Sequence, residues 1–396
     1  MFLTAYTATS CLGRGLAAHS AALRAGRSGL SPCEFETVSL PTWIGEVSGL
    51  DAEALPAPLA AYECRNNRLA WLGLQQDGFA QRVRGAVARH GADRVGVFVG
   101  TSTSGILQTE LAYRERDAQS GALPAWFDYA RTHNTYSVSG FVREALGIEG
   151  MAMSLSSACS SSAKVFAAAA RQLQLGCIDA AVVGGVDSLC LTTLYGFASL
   201  QLTSSEPCRP GDVARKGLSI GEAAAFALLE REGAADAVRL LGVGESSDAH
   251  HMSAPHPQGL GAQRAMQAAL RSAGLQPADI GYVNLHGTAT PANDAAEGLA
   301  VAALFGRGVP CSSVKGATGH TLGAAGALEA VVCALAVSEG WLPGSPGTQT
   351  PDPAIHTDYR VQGADAPGLR TALSNSFGFG GSNCSLVLGR GAGEGA

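Results

Sequence analysis

Short apolar runs rich in Val and Ala alternate along the chain with longer Ala-rich segments of helical character, and no other feature constrains the fold as much. Val95–Gly100, Met151–Ser156, Ala180–Val186, Ala225–Glu230, Gly281–Leu285 and Ala372–Asn375 have the length and composition of strands. Arg65–Val87, Ser160–Leu175, Asp294–Phe305 and Thr321–Glu339 read as helices. Strand and helix in turn imply an α/β fold with mostly parallel strands, because a parallel connection needs a crossover. The 396 residues exceed one ordinary core. Since no low-complexity linker divides them, two halves packed as one body are expected, residues 1–234 and 235–396, with the midpoint near Glu232–Ala237. A strand, a reactive type of residue and a helix succeed one another around Cys159, and again around His286 and His320, which is a weak internal symmetry.

Composition removes several classes of function. With 46% apolar and 15% charged residues the chain can fill a large interior, and disorder is excluded. A net charge of −6 argues against broad nucleic-acid binding, which needs a strong basic face. The ten cysteines include no C-x-x-C pair, so zinc-ribbon and thioredoxin readings lack their spacing, and no metal is expected. Reduced thiols in a cytoplasmic protein fit a chain of this size better than a disulfide scaffold. The first fifteen residues have no basic segment followed by a long apolar run, so they make a poor signal peptide. No run of ~20 apolar residues free of polar groups occurs, so no membrane span is expected.

Chemistry concentrates at a few places. After the strand at Met151–Ser156 comes Ser157-Ala158-Cys159-Ser160-Ser161-Ser162, and then an Ala-rich helix that stops at Gly176. Cys159 thus falls on a strand-to-helix turn, where free N–H groups and the helix dipole favour a thiolate and can hold an oxyanion. The alternative is a buried small hydrophobe, the reading kept for the other nine cysteines. His286 ends a buried strand and is followed by Gly287-Thr288-Ala289-Thr290-Pro291, at the kind of strand end where α/β proteins gather ligands. A satisfied turn histidine is the other option. Lys315-Gly316-Ala317-Thr318-Gly319-His320 leads into the next helix, whose positive end would keep His320 neutral. A phosphate-binding loop is excluded there, because no GxxxxGK[ST] precedes the helix. Asn375-Ser376-Phe377-Gly378-Phe379-Gly380-Gly381-Ser382-Asn383 reads either as a glycine-hinged aromatic gate or as a plain hairpin turn.

Taken in order and spacing, Ser156 through Cys159, His286 through Pro291, Lys315 through His320 and Asn375 through Asn383 resemble the β-ketoacyl-acyl-carrier-protein synthases. The likeness runs from about residue 90 to the end and more weakly before. It implies a thiolase fold: two similar βαβαβαββ halves in a five-layered α-β-α-β-α arrangement, as a homodimer or paired with a chain-length-factor-like subunit. It also implies an acyl carrier protein as partner and no cofactor. Carried over by position, Cys159 is the nucleophile, and His286 and His320 serve decarboxylation, with Lys315 in support. Glu329 and Asp294 match structural or network acids. Thr288 and Thr290 match the hydroxyls that hold the phosphopantetheine arm. The N–H groups of Cys159 and Phe379 match the oxyanion hole, and Phe379, beside Phe377, matches the gate at the acyl pocket. Arg65 and Arg68, one helical turn apart, match a carrier-docking region, unless they form only a solvated face.

The departures are a short N-terminus without the usual apolar strand followed by Thr-Gly-x-Gly, alanines in place of glycines within Gly217–Ala225, and Lys216 where an acid is common. They point toward divergent ketosynthases of aryl-polyene-like pathways. Within the superfamily, a thiolase needs a second catalytic cysteine and an initiating synthase has asparagine at His320. A chain-length factor lacks the nucleophile, and a cysteine hydrolase releases no carbon dioxide.

Overall fold

The computed structural model describes residues 1–390; residues 391–396, assigned above to the second half, lie outside the described residues. Ten strands build the core of the molecule. The first five are β1 (Phe2–Ser10), β2 (Val95–Gly100), β3 (Ala152–Leu155), β4 (Ala180–Asp187) and β5 (Ala223–Glu230). They pair in the order 3-2-4-5-1, with β5 antiparallel to both neighbours. The second five are β6 (Val238–Ser247), β7 (Tyr282–Asn284), β8 (Pro310–Ser312), β9 (Thr371–Gly378) and β10 (Ser382–Arg390). Their order is 8-7-9-10-6, with β10 antiparallel to both neighbours, so the second sheet repeats the first strand for strand. The symmetry faint in the sequence is a duplicated topology.

Helices complete each repeat. The first half uses α1 (Arg65–Leu74), α2 (Ser137–Ala145), α3 (Ser161–Gln174) and a later α4 (Leu191–Ser199). The second uses α5 (Leu260–Ala273), α6 (Pro291–Phe305) and α7 (Ala325–Glu339). Side chains alternate across a strand. Phe98 and Val183 therefore face an inner core with Phe166, Leu328, Val331 and Leu386, while Val97, Val99 and Val182 face an outer core with Leu69, Leu72, Phe141 and Val142. Val283, Leu373 and Val387 meet α5 and α6 on the far side. The layers are thus helix, sheet, two central helices, sheet, helix, as the thiolase fold requires. The central pair α3 and α7 approach closely: a Cβ on Gly326 would stand 2.6 Å from the Ala163 nitrogen. Leu322–Glu339 is apolar and long enough to cross a membrane, but here it forms the central helix and the turn before it, buried among protein.

Two helix expectations change. Arg65–Val87 is two helices, because Asp77 (φ 54°) and Gly78 (φ 67°) break it before Phe79–His90. Asp77 is used elsewhere, accepting the Leu16 N–H and the Thr7 hydroxyl. An N-terminal strand is present as β1, with Thr4, Tyr6, Thr7 and Thr9 interrupting the apolar run, and no Thr-Gly-x-Gly follows it. The helix at Thr321–Glu339 begins as a 3-10 turn, and its α-helical part starts at Ala325.

Candidate active site

The connection from β3 to α3 carries Cys159, and the equivalent connection from β8 to α7 carries His320. The duplicated fold therefore brings two corresponding loops face to face. Ala158 stands at φ 50°, the left-handed region that a non-glycine residue rarely adopts, and this turn aims Cys159 away from the sheet. The serines around it staple the elbow. Ser161 Oγ accepts the Ser157 N–H at 2.8 Å, and Ser160 Oγ donates to the Ser157 carbonyl at 3.0 Å.

The site is a cavity of about 250 Å³ lined by Cys159, His286, His320, Phe197, Phe377 and Phe379, among others. His320 Nε2 lies 3.0 Å from Cys159 Sγ, and the two imidazoles stand edge to face with centroids 5.2 Å apart. The Leu322 N–H donates to His320 Nδ1 at 3.3 Å, so the ring proton of a neutral His320 sits on Nε2. Lys315 Nζ, 3.4 Å from His286 Nδ1, places the His286 proton on Nε2 as well. Burial first, and the Lys315 charge second, hold both imidazoles well below the usual histidine range. Each therefore offers a neutral N–H donor. Neutrality was expected for His320 from the helix end; burial is the larger cause.

Lys315 also donates to the His286 carbonyl and to Glu329, so all three of its protons are committed. Burial pushes the Glu329 carboxyl up to about 7, against the pull of Lys315. Ligand atoms of Cys159, His286 and His320 lie within 4.8 Å of one another, near enough for a soft metal, but the fixed charge of Lys315 beside them opposes a cation.

The expected thiolate is not the resting form. Burial raises the Cys159 thiol to about 11, outweighing the Lys315 charge and the Phe379 and Cys159 N–H groups that pull it down. Those two N–H groups nevertheless converge on the sulfur, where an attacked carbonyl would place its oxygen. Phe379 stacks at 5.5 Å on Phe197 from α4, and Phe377 meets the His286 ring at 5.9 Å. Gly380 (φ 80°) and Gly381 (φ 72°) follow in conformations that suit a hinge. Thr288 and Thr290 line the same cavity with their hydroxyls 2.9 Å apart.

Asp294, matched to a structural or network acid, accepts the Gly211 N–H at 2.8 Å and the Ala289 N–H at 3.2 Å, tying the turn after His286 to a neighbouring loop. One sequence assignment moves. Arg65 and Arg68 do not share an exposed face. Arg65 is 5% exposed and forms a bidentate pair with Glu222, and Arg68 is committed to Glu63. Sequence reasoning missed Glu297, whose carboxylate accepts the His286 and Gly287 N–H groups at 2.8 Å each and the Asn375 side-chain N–H at 3.1 Å. An acid eleven residues after His286, one helical turn beyond Asp294 on the same helix, was the available signal. It also missed Asp187, which accepts N–H groups from Ser102, Thr103 and Gly323.

The duplicated sheet, with a thiol facing two imidazoles where its halves meet, defines a class: the acyl-transferring enzymes of the thiolase fold. Residues 67–235 match the N-terminal and 238–349 the C-terminal domain model of β-ketoacyl synthases. Nodulation protein E of Rhizobium meliloti is 33% identical over 92% of this chain and 93% of its own length. The 3-oxoacyl-[acyl-carrier-protein] synthase 2 of Coxiella burnetii is 32% identical over 98% of both chains. A chain in the complex of a ketosynthase with its chain length factor from Xenorhabdus doucetiae superimposes with a TM-score of 0.89, at 38% identity and 98% coverage of both. The chain belongs to the β-ketoacyl synthase family. It is accordingly an acyltransferase, a 3-oxoacyl-[acyl-carrier-protein] synthase.

Neutrality of the two histidines is directly observable. At about pH 6, imidazole nitrogen resonances of His286 and His320 are expected to show neutral rings protonated on Nε2, since both lie well below 6.5. An imidazolium signature from either would contradict the assignment.

Proposed function

We propose that Cys159 accepts the acyl group, and that His286 and His320 hold the malonyl thioester carbonyl through decarboxylation. The observation carrying this reading is that both rings have Nδ1 occupied from behind and both line the cavity beside Cys159 Sγ. Attack by Cys159 on a carrier thioester expels the carrier thiol, and the proton lost by the cysteine ends on that leaving sulfur. Malonyl-carrier then enters. Loss of carbon dioxide leaves an enolate whose oxygen receives two N–H donors. Its carbon attacks the acyl-Cys159 carbonyl, whose oxygen turns to the N–H groups of Cys159 and Phe379. Collapse expels the Cys159 thiolate, which takes a proton from solvent, and leaves a 3-oxoacyl thioester two carbons longer.

Thr288 and Thr290 face the incoming arm, Phe379 and Phe377 bound the acyl side, and Lys315 with Glu329 fixes His286. The nucleophile belongs to residues 1–234 and both histidines to the remainder, with the boundary between β5 and β6. The partner is an acyl carrier protein. The second subunit is another thiolase-fold chain, either a copy or a chain-length-factor-like protein; the likeness to the Xenorhabdus complex supports the latter. The alanines within Gly217–Ala225 and Lys216 support a specialised polyene-type pathway. Ten free cysteines suit the cytoplasm.

Incubation with acyl-carrier and malonyl-carrier should yield carbon dioxide and the 3-oxoacyl product in equal amounts. Free acid without carbon dioxide would make the chain a hydrolase instead. Replacing Phe379 by alanine keeps its N–H but removes the ring that packs on Phe197, so acyl transfer to Cys159 should slow in a folded protein. Unchanged acylation would reduce Phe379 to turn packing.

A further inference from the structure

The buried Arg65 lies behind His320, not at the surface. Its guanidinium gives Nε to Glu222 Oε2 at 2.9 Å and Nη2 to Glu222 Oε1 at 2.7 Å, and reaches Asp51 at 2.6 Å and Glu46 at 3.1 Å. Its flat face covers the Phe35 ring at 4.9 Å. Glu222 is fully buried, and each of its oxygens takes one further proton, from the N–H of Val47 and the N–H of Leu189, both at 2.9 Å. One carboxylate thus gathers three separate stretches of chain.

Those stretches bear on the histidine. Ser219, Ile220 and Gly221 precede Glu222 directly. The Ser219 carbonyl accepts the His320 N–H at 2.7 Å, and the Gly221 N–H donates to the His320 carbonyl at 3.0 Å. Ile44 and Gly45, just before Val47, pair in parallel with Ile220 and Gly221. A Cβ at Gly221 or Gly45 would fall 2.2 or 2.4 Å from the Thr318 carbonyl oxygen, so the turn into His320 rests on bare backbone. Leu189 follows Asp187, which accepts the Gly323 N–H on the other flank. The backbone of His320 is gripped on both sides by segments that converge on Glu222.

We propose that Arg65 is a positioning residue: through Glu222 it sets the place of the His320 backbone, and so the aim of Nε2 at Cys159 and the bound carbonyl. This rests on the reading of His320 as a decarboxylation donor. A displacement of a catalytic group by about 1 Å can cost on the order of 100-fold in rate. An ammonium cannot reproduce a bidentate, ring-stacked guanidinium, so Arg65→Lys should retain charge but lose registration.

The test uses full-length Arg65→Lys and the double variant Arg65→Met with Glu222→Gln, which removes both buried charges and leaves only the solvent-reached Asp51 and Glu46 without Arg65. Carbon dioxide release from malonyl-pantetheine, iodoacetamide alkylation of Cys159 across pH, and thermal melting are measured together, with His320→Ala alongside. Expected are a kcat for decarboxylation about 10-fold lower or more, KM within about twofold, and a higher pH midpoint for Cys159 alkylation, in protein whose full complement of Cys159 still reacts. A folded Arg65→Lys that decarboxylates at the wild-type kcat overturns the proposal. So does a loss of rate explained wholly by a smaller reactive fraction, which would mark the pair as structural support only. A normal rate in His320→Ala would instead overturn the role of His320 itself.

Discussion

Replacing Cys159 by glutamine should abolish the acyl-enzyme and condensation while the protein continues to release carbon dioxide from malonyl-carrier. The two half-reactions draw on different atoms. Transfer needs a nucleophile, and among the cavity-lining residues only Cys159 supplies a thiol. Decarboxylation needs a malonyl thioester and donors on its carbonyl, which His286 and His320 provide from neutral rings. The glutamine amide is neutral and fills the space of an acylated cysteine, so the site should behave as though already loaded. Labelled malonyl-carrier measures both products at once. A folded variant that released no carbon dioxide would show that the thiol itself takes part in decarboxylation.

The converse substitution carries the second large effect. In His320→Ala, Cys159 should still be acylated, while carbon dioxide release falls on the order of 100-fold or more, the usual cost of losing one preorganised donor. The split follows from the tautomer. Because the Leu322 N–H occupies Nδ1, His320 presents Nε2–H to the sulfur at 3.0 Å and acts as a donor, not as a base for the thiol. Acylation should nonetheless slow somewhat, since His320 is a hydrogen-bond donor within 3.0 Å of the attacking sulfur. If acylation vanished altogether, His320 would be the base that activates Cys159, and the proton inventory above would be wrong.

What the sequence disclosed and what it concealed divide along a physical line. Cys159, His286, Lys315 and His320 were legible because each stands at a strand end or helix start among small residues, a local pattern. The strands at Val95–Gly100 and Ala180–Asp187 were legible for the same reason: apolar runs bounded by turns. Arg65 was misread because helical spacing says which residues share a face, not which way that face points. A glutamate 157 positions away decided that. Glu297 and Asp187 escaped notice because carboxylates that accept backbone N–H groups leave no spacing signature; only the apolar strand that Asp187 ends hinted at one of them. The break at Asp77-Gly78, by contrast, was written in a turn dipeptide and was simply outweighed by the helical run around it.

The central claim is that one cysteine, held at the elbow between β3 and α3, carries the growing acyl chain. Peptide-resolved mass spectrometry after incubation with an acyl-carrier thioester tests it most directly. The predicted result is an acyl adduct on the Cys159 peptide and on none of the other nine cysteines. An adduct on any other cysteine, or turnover to product with Cys159 never acylated, would contradict the account.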